Sequence, residues 1–291
     1  MKYVLVTAAK NEALNIRKTI LSISQQTIKP EIWVIVSDSS IDETDEIVKQ
    51  YAKENSFIKL IRKENSRKED GFSSKVFAFL SGYDSLRDYK FDLIGNLDAD
   101  ITMESDYYER IIKEFIADPL LGIAGGMIYD VVSGKKRKRS PENESYVCGG
   151  IQMFRRACFE EIGGYVPLKE GGEDTVAVIK AQMAGWHVRV IKELDVLHHK
   201  ISAKVRGGWG DNFREGAMFC MLGSYLLVEM AKSMMRMKEK PYILGGVARA
   251  SGYLIAYVKR KRVNLGEEFV KYIRKEQRAR IGRIFRNYLK Y

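Results

Sequence analysis

The triplet Asp98-Ala99-Asp100 puts two carboxylates one residue apart at the end of an apolar run that starts at Phe91. Like charges that close repel, and burial raises the cost of both. A divalent cation removes the conflict. Hard cations such as Mg²⁺ or Mn²⁺ take carboxylate oxygens and usually keep substrate phosphates in their shell. The triplet therefore reads as a metal site for a nucleotide diphosphate, against the plainer reading of a solvated strand-to-helix turn. A second acid pair, Glu173-Asp174, follows the glycine pair Gly171-Gly172, and two histidines, His198-His199, close a later apolar run.

The elements that must carry these groups follow from periodicity. Residues 3–8, 31–37, 57–62 and 91–97 read as strands, and 11–25, 42–55 and 73–86 as amphipathic helices between them. Strands alternating with helices of this length give βαβ units and a mostly parallel sheet. Ligands bind such sheets at the carboxyl ends of the strands. Three polar clusters lie there and should converge: Lys10-Asn11-Glu12, Asp38-Ser39-Ser40 and Asp98-Ala99-Asp100. After residue 100 the pattern is less regular. Helices are expected at 106–117, 157–162 and 173–184, and strands at 122–132, 149–154 and 188–197, with a basic loop at 135–139. From about residue 207 only helices are expected.

The chain has 291 residues and three cysteines, Cys148, Cys158 and Cys220, in no metal or disulfide pattern. An odd count and no export signal point to a reducing compartment. Residues 217–231 are interrupted by Glu229 and residues 242–258 by Arg249, so neither run supplies the roughly 20 apolar residues of a spanning helix. The expected location is cytoplasmic, peripheral at the inner face of the cell membrane. The net charge of +11 is uneven: residues 259–291 supply +9 and the run 135–139 supplies +5, leaving a slightly acidic body. Basic appendages of this kind suit an anionic partner, a membrane surface or phosphorylated acceptor before nucleic acid.

Taken together, residues 1–200 resemble an inverting glycosyltransferase of family 2 with the GT-A fold. Ala8-Ala9-Lys10-Asn11-Glu12 resembles the family's Pro-x-Tyr-Asn-Glu, with Ala8 and Lys10 replacing Pro and Tyr. Residues 36–44 resemble Val-Asp-Asp-Gly-Ser-x-Asp-x-Thr, with Ser37 and Ser39 replacing Asp and Gly. Asp98-Ala99-Asp100 resembles the Asp-x-Asp motif, and Gly172-Glu173-Asp174 with Gly185-Trp186 the acceptor-side Glu-Asp motif. The resemblance implies a Rossmann-like, mostly parallel sheet flanked by helices. It implies a catalytic domain over 1–206, with a nucleotide half at 1–100 and an acceptor half at 101–206, and a helical basic extension over 207–291.

The resemblance also implies residue roles. Ala8, Ala9, Glu12, Asp38, Lys75, Asp98 and Ala99 would bind the donor, with Asp38 on the base, Glu12 on the ribose and Lys75 on the diphosphate. Asp100, Asp98 and His198 would hold Mn²⁺ or Mg²⁺, with His199 able to replace His198. Asp174 would be the base, with Glu173 raising its pKa or shaping the site. The donor would be a nucleotide sugar, UDP-linked before GDP-linked, and the acceptor a saccharide or lipid-linked hydroxyl. A sugar-phosphate nucleotidyltransferase and a non-catalytic module binding anionic lipid or nucleic acid stand as alternatives. Residues 215–237 and 242–258 are apolar nearly all round and precede the basic stretch. Such helices can lie in a membrane interface, cap the catalytic domain or form a dimer contact.

Overall fold

A computed structural model describes residues 1–64, 71–132, 134–138, 146–199 and 208–288, with side chains as far as residue 281. The chain forms two compact units, Met1–Ile201 and Ser202–Tyr291. The expected boundary at 206/207, and Arg139 of the basic run, lie outside the described residues.

In the first unit, the strands β1 (Tyr3–Ala9), β2 (Ile32–Asp38), β3 (Ile58–Lys63) and β4 (Leu93–Asn96) run parallel in the order β3-β2-β1-β4. Every residue of β2 is buried, as expected of a strand covered on both faces. Trp33 is fully buried there and donates its indole N–H to Thr7 Oγ1 at 2.9 Å. The covering helices follow their apolar spacing. Helix α1 (Ile16–Ser24) buries Ile16, Thr19, Ile20 and Ile23, and α2 (Thr44–Glu54) buries Ile47 and Val48. Helix α3 (Ser73–Asp84) comes closest to the sheet at Gly82, where a Cβ would stand 2.6 Å from Val6 Cγ1.

Helix α1 starts later than its periodicity predicts. Asn11 has a positive φ of 54°, and the amides of Asn15 and Ile16 both bond to the Glu12 carbonyl, so residues 11–15 form a turn. Polar hydrogen bonds to the β2–α2 loop, described below, hold that turn outside the helix.

Beyond β4 the sheet becomes mixed. The order continues β8-β6-β9-β5, where β5 is Ile101–Met103, β6 is Leu121–Val132, β8 is Met153–Arg155 and β9 is His187–His198. β8 is antiparallel to β4 and β6, β9 is parallel to β6, and β5 is antiparallel to β9. Helices α4 (Tyr107–Ala117), α5 (Arg156–Glu161) and α6 (Glu173–Met183) agree with expectation. Three features differ. The basic run 135–138 is not a loop but a strand, β7 (Lys135–Lys138), turned back on β6 through Gly134 at φ 75°. Residues 149–154 are not one strand, because Gly149–Ile151 forms a 3-10 turn before β8. The three-residue β5 was too short to give a periodic signal.

The regular elements described in the second unit are all helices: α7 (Trp209–Met221), α8 (Leu226–Arg236), α9 (Ile243–Val258) and α10 (Glu267–Tyr288). The apolar run 215–237 is split between α7 and α8 at Gly223, which has φ 87°. Helices α7 and α9 cross at contact distance. A Cβ on Gly216 would lie 1.9 Å from the Arg249 carbonyl oxygen, and one on Gly252 1.9 Å from that of Phe213. The two charges that interrupt the apolar runs meet here. Arg249 donates to Glu229 Oε2 at 2.7 Å and also pairs with Glu215, while Lys232 and Ser224 donate to Glu229 Oε1 at 2.7 and 2.8 Å. Buried charges persist when paired in this way.

Candidate active site

The strand order creates the site. From β1 the chain moves outward to β2 and β3, then returns to the other side of β1 as β4. The carboxyl ends of β1 and β4 therefore flank a topological switch point, where open α/β sheets bind ligands. Two of the three expected clusters follow these strands and the third follows β2. The first and third are joined directly. The Asn11 amide donates to Ser40 Oγ at 3.1 Å, Asn11 Oδ1 accepts from the Ile41 amide at 2.9 Å, and the Glu12 amide donates to Thr44 Oγ1 at 2.8 Å. Asn11 and Ser39 both have positive φ, 54° and 55°. Non-glycine residues in that region store strain, which concentrates at functional loops. The requirement explains why the family pattern has glycine where this chain has Ser39.

Asp38 ends β2 and is buried. Lys10 and Lys63 stand 3.7 and 4.0 Å from its carboxylate, and Ser74 on α3 donates to it. The next residue of α3, Lys75, lies 2.5 Å from Asp98 Oδ1. Burial acts to lower the Lys75 pKa, but the charges of Asp98 and Glu173 outweigh it and the net shift is upward. Lys75 therefore stays cationic, between the two acidic motifs. Glu12 is buried at the turn into α1. Ala8 and Ala9 pair with Val36 and Ser37 in the sheet, and the Ala99 carbonyl accepts from Thr19 Oγ1 at 2.8 Å.

Asp100 and His198 meet at the start of β5 and the end of β9. Ile101 and His198 are in register, and the His199 amide donates to the Asp100 carbonyl at 2.8 Å. His198 Nε2 lies 3.2 Å from Asp100 Oδ2, and its Nδ1 lies 2.9 Å from Asp130 Oδ1 on β6. Asp100 Oδ1 is buried with no hydrogen-bond partner among the described residues. A ring whose Nδ1–H faces Asp130 turns the Nε2 lone pair toward a carboxylate. Two such acceptors at that distance suit a cation between them. A carboxylate behind the outer ring nitrogen is the usual support of a metal-ligating histidine. Asp100 and His198 thus fit a divalent cation as a two-residue donor set. No group of three His, Cys, Asp or Glu side chains stands around one cation position among the described residues. Asp98, expected as a third ligand, instead pairs with Lys75. His199, the other candidate, has Nε2 2.7 Å from Thr102 Oγ1, and burial lowers its pKa.

The acceptor-side acids reach the same edge through the turn at Gly149–Ile151. The Asp98 amide donates to the Gly150 carbonyl at 3.0 Å, and a Cβ on Gly150 would lie 2.3 Å from Asp98 Oδ2. On the other side, Asp174 Oδ2 accepts from the Gly149 amide at 3.0 Å and from the Tyr146 hydroxyl at 2.9 Å. Asp174 Oδ1 accepts from the Thr175 amide at 2.7 Å. Glu173 is raised in pKa, first by burial and then by the charge of Asp174. One turn therefore connects Asp98 and Asp174. Sequence reasoning missed Tyr146, Gly149, Gly150 and Asp130. The pair Gly149-Gly150 was the available signal, since adjacent glycines in a short apolar run mark a close backbone approach. Asp130, a lone acid in a strand pattern, gave none.

Residues 4–163 match the family model described as glycosyl transferase family 2. The chain belongs to that family. Its fold is GT-A, as in solved structures of similar fold. A mannosyltransferase from Pyrobaculum calidifontis, solved with GDP-Man and Mn²⁺, matches with TM-score 0.55 and 17% identity over 89% of this chain and 74% of its own. S. aureus TarS residues 1–349, solved with UDP-GlcNAc, match with TM-score 0.56 and 14% identity over 96% of this chain and 83% of their own. GalNAc-T7, solved with UDP, GalNAc and Mn²⁺, matches with TM-score 0.59 and 13% identity over 89% and 56%. Identities this low establish the fold alone. Among curated proteins, poly-β-1,6-N-acetyl-D-glucosamine synthase of Staphylococcus aureus is 26% identical over 150 residues, or 52% of this chain. The match spans 31% of that synthase's length.

Proposed function

We propose that this family 2 enzyme moves a sugar from a nucleoside-diphosphate sugar to a saccharide or lipid-linked hydroxyl, with inversion and with Mn²⁺ or Mg²⁺ bound. The observation that carries this reading is the single connected edge. Base-side Asp38, Lys75–Asp98 and Asp174 are linked through α3 and the Gly149–Ile151 turn, and the cation pair Asp100–His198 follows two residues after Asp98. Family membership supports the transferase over the nucleotidyltransferase and the non-catalytic module.

Asp38 would accept from a ring N–H of the base, and buried Glu12 would accept from the ribose. Lys75 would meet the diphosphate as a point charge. Asp100 and His198 would hold the cation, which when bound takes up charge developing on the leaving diphosphate. Inversion by direct displacement needs one carboxylate at the acceptor hydroxyl and no covalent intermediate. Asp174 would take that proton, its carboxylate held in place by Gly149 and Tyr146 on Oδ2 and by Thr175 on Oδ1. Glu173, when ionised, adds negative charge that favours the transfer. UDP is the first donor to test. GDP stays open because Ala8 and Lys10 replace the Pro and Tyr of the family pattern. The synthase, by its name, supports a saccharide acceptor.

The test is thermal stabilisation by UDP, GDP, CDP and dTDP, each with Mn²⁺, Mg²⁺ or EDTA, followed by transfer assays with the stabilising nucleotide's sugars. A ligand that binds only the native state raises the melting temperature. Metal-dependent stabilisation by one nucleotide supports the reading, and no stabilisation by any combination refutes it.

A further inference from the structure

Helix α9 is inverted in polarity. Its one charged residue, Arg249, is 5% exposed and engaged with Glu215 and Glu229, while its solvent-facing stripe is apolar. Ile243, Leu244, Val247, Leu254, Ile255 and Val258 are all exposed, Ile243 to 66% and Val258 to 78%. Their spacing puts them on one side of the helix. The opposite side, with Gly252 and Arg249, packs on α7 and α8. A surface helix would ordinarily turn its charges outward, and a contiguous apolar stripe of this kind marks an interaction surface.

Both ends of the stripe carry an exposed tyrosine and exposed cations. Tyr242, Lys238 and Lys240 stand at its start, with Glu239 between the lysines paired to Arg236, and Tyr257, Lys259, Arg260, Lys261 and Arg262 at its end. We propose that this face of α9 docks in the plane of an anionic lipid surface, with the apolar stripe in the acyl boundary and the basic ends on headgroup phosphates. Amphipathic tyrosines and cationic termini favour the lipid–water interface. A second copy of the chain fits poorly. Parallel pairing would oppose the run 259–262 to itself, and antiparallel pairing would oppose it to Lys238 and Lys240. The helix rises only about 24 Å over its length and presents one side, so it lies on a membrane. No helix among the described residues is long and apolar enough to cross one.

The test is co-sedimentation of the full chain with vesicles of phosphatidylcholine alone or with phosphatidylglycerol, without nucleotide or metal, so its outcome is separate from that of the donor-site reading. Expected are binding to the anionic vesicles that weakens in high salt, and a loss of about tenfold or more in Leu254→Asp/Ile255→Asp. Both substituted positions are solvent-facing, and circular dichroism would verify the fold. The triple variant Lys259→Gln/Arg260→Gln/Lys261→Gln should weaken binding to the anionic vesicles only. Equal partition onto both vesicle types would overturn the electrostatic part. Absence of binding, or a dimer in ultracentrifugation that the double variant dissociates, would overturn the proposal.

Discussion

Asp130 supplies the sharpest test of the cation corner, because it lies outside every motif of the family pattern. Its Oδ1 stands 2.9 Å from His198 Nδ1, and His198 is only 3% exposed. The ring cannot turn to water for a substitute partner. Removing the carboxylate should free the ring's tautomer and orientation and lower its basicity toward the cation. Loss of such a supporting carboxylate costs about 10–100-fold in metal affinity, or about 1.4–2.8 kcal/mol. Asp130→Asn keeps an acceptor but loses the charge, so it should fall near the lower figure, and Asp130→Ala near the upper. The assay is Mn²⁺ titration followed by the electron paramagnetic resonance signal of the free ion, with UDP saturating. Asp195→Asn is the control. It removes an exposed carboxylate on β9 that pairs with Lys136 at 3.2 Å, and it should leave Mn²⁺ affinity unchanged. Wild-type affinity in Asp130→Ala would refute the argument that His198 is a supported ligand.

Asp174→Asn should reduce transfer by at least a thousandfold while leaving nucleotide stabilisation intact, and substantial remaining transfer would remove Asp174 as the base. The pKa of Glu173 is raised, so between the ordinary glutamate value and its native value the folded state holds an extra proton. Raising the pH through that window therefore costs stability. Glu173→Gln should accordingly melt higher than wild type at pH 8, with the difference vanishing at pH 4, as followed by calorimetry. Gly150→Ala should displace Asp98 and lower transfer with little change in Asp100–His198 Mn²⁺ binding, read by the same titration. Arg249→Met leaves Glu229 buried with only Lys232 and Ser224 and should destabilise the helical unit by about 3–5 kcal/mol in urea unfolding.

The parallel half of the sheet was legible because its strands carry continuous apolar runs, and three of the four are followed by a polar cluster. The candidate site's residues were visible as polar clusters: Asp38 ends β2, Asp98 and Asp100 follow β4, and Glu173-Asp174 open a helix behind a glycine pair. Their partners were less legible. A strand of three residues, β5, carries no period, yet its pairing with β9 is what sets Asp100 against His198. The run Lys135–Lys138 gave a charge signal that masked its strand geometry, since a hairpin edge tolerates exposed lysines. Tyr146 could be read only as an isolated aromatic, although its hydroxyl fixes Asp174.

The same contrast explains why Asp98 and Asp100, neighbours in sequence, do different work. Alternation along an extended backbone would send both carboxylates to one side. The residues instead fall in the bend between β4 and β5, where the chain leaves a parallel strand and enters an antiparallel one. Asp98 turns toward α3 and Lys75, and Asp100 toward β9 and His198. The repulsion that made the triplet conspicuous is thus relieved by separation and by two different cationic environments. One is a lysine present in the fold, and the other is a position that suits a metal ion. A cation bound at Asp100–His198 therefore need not displace Lys75 from Asp98. If Asp98 were drawn into the metal shell on donor binding, Lys75 would be released toward the diphosphate at the moment its charge is needed. Lys75→Met distinguishes the two arrangements. Without exchange it should weaken nucleotide binding equally with and without Mn²⁺. With exchange it should strengthen Mn²⁺ binding while weakening that of the nucleotide, because Asp98 would no longer be held away from the cation.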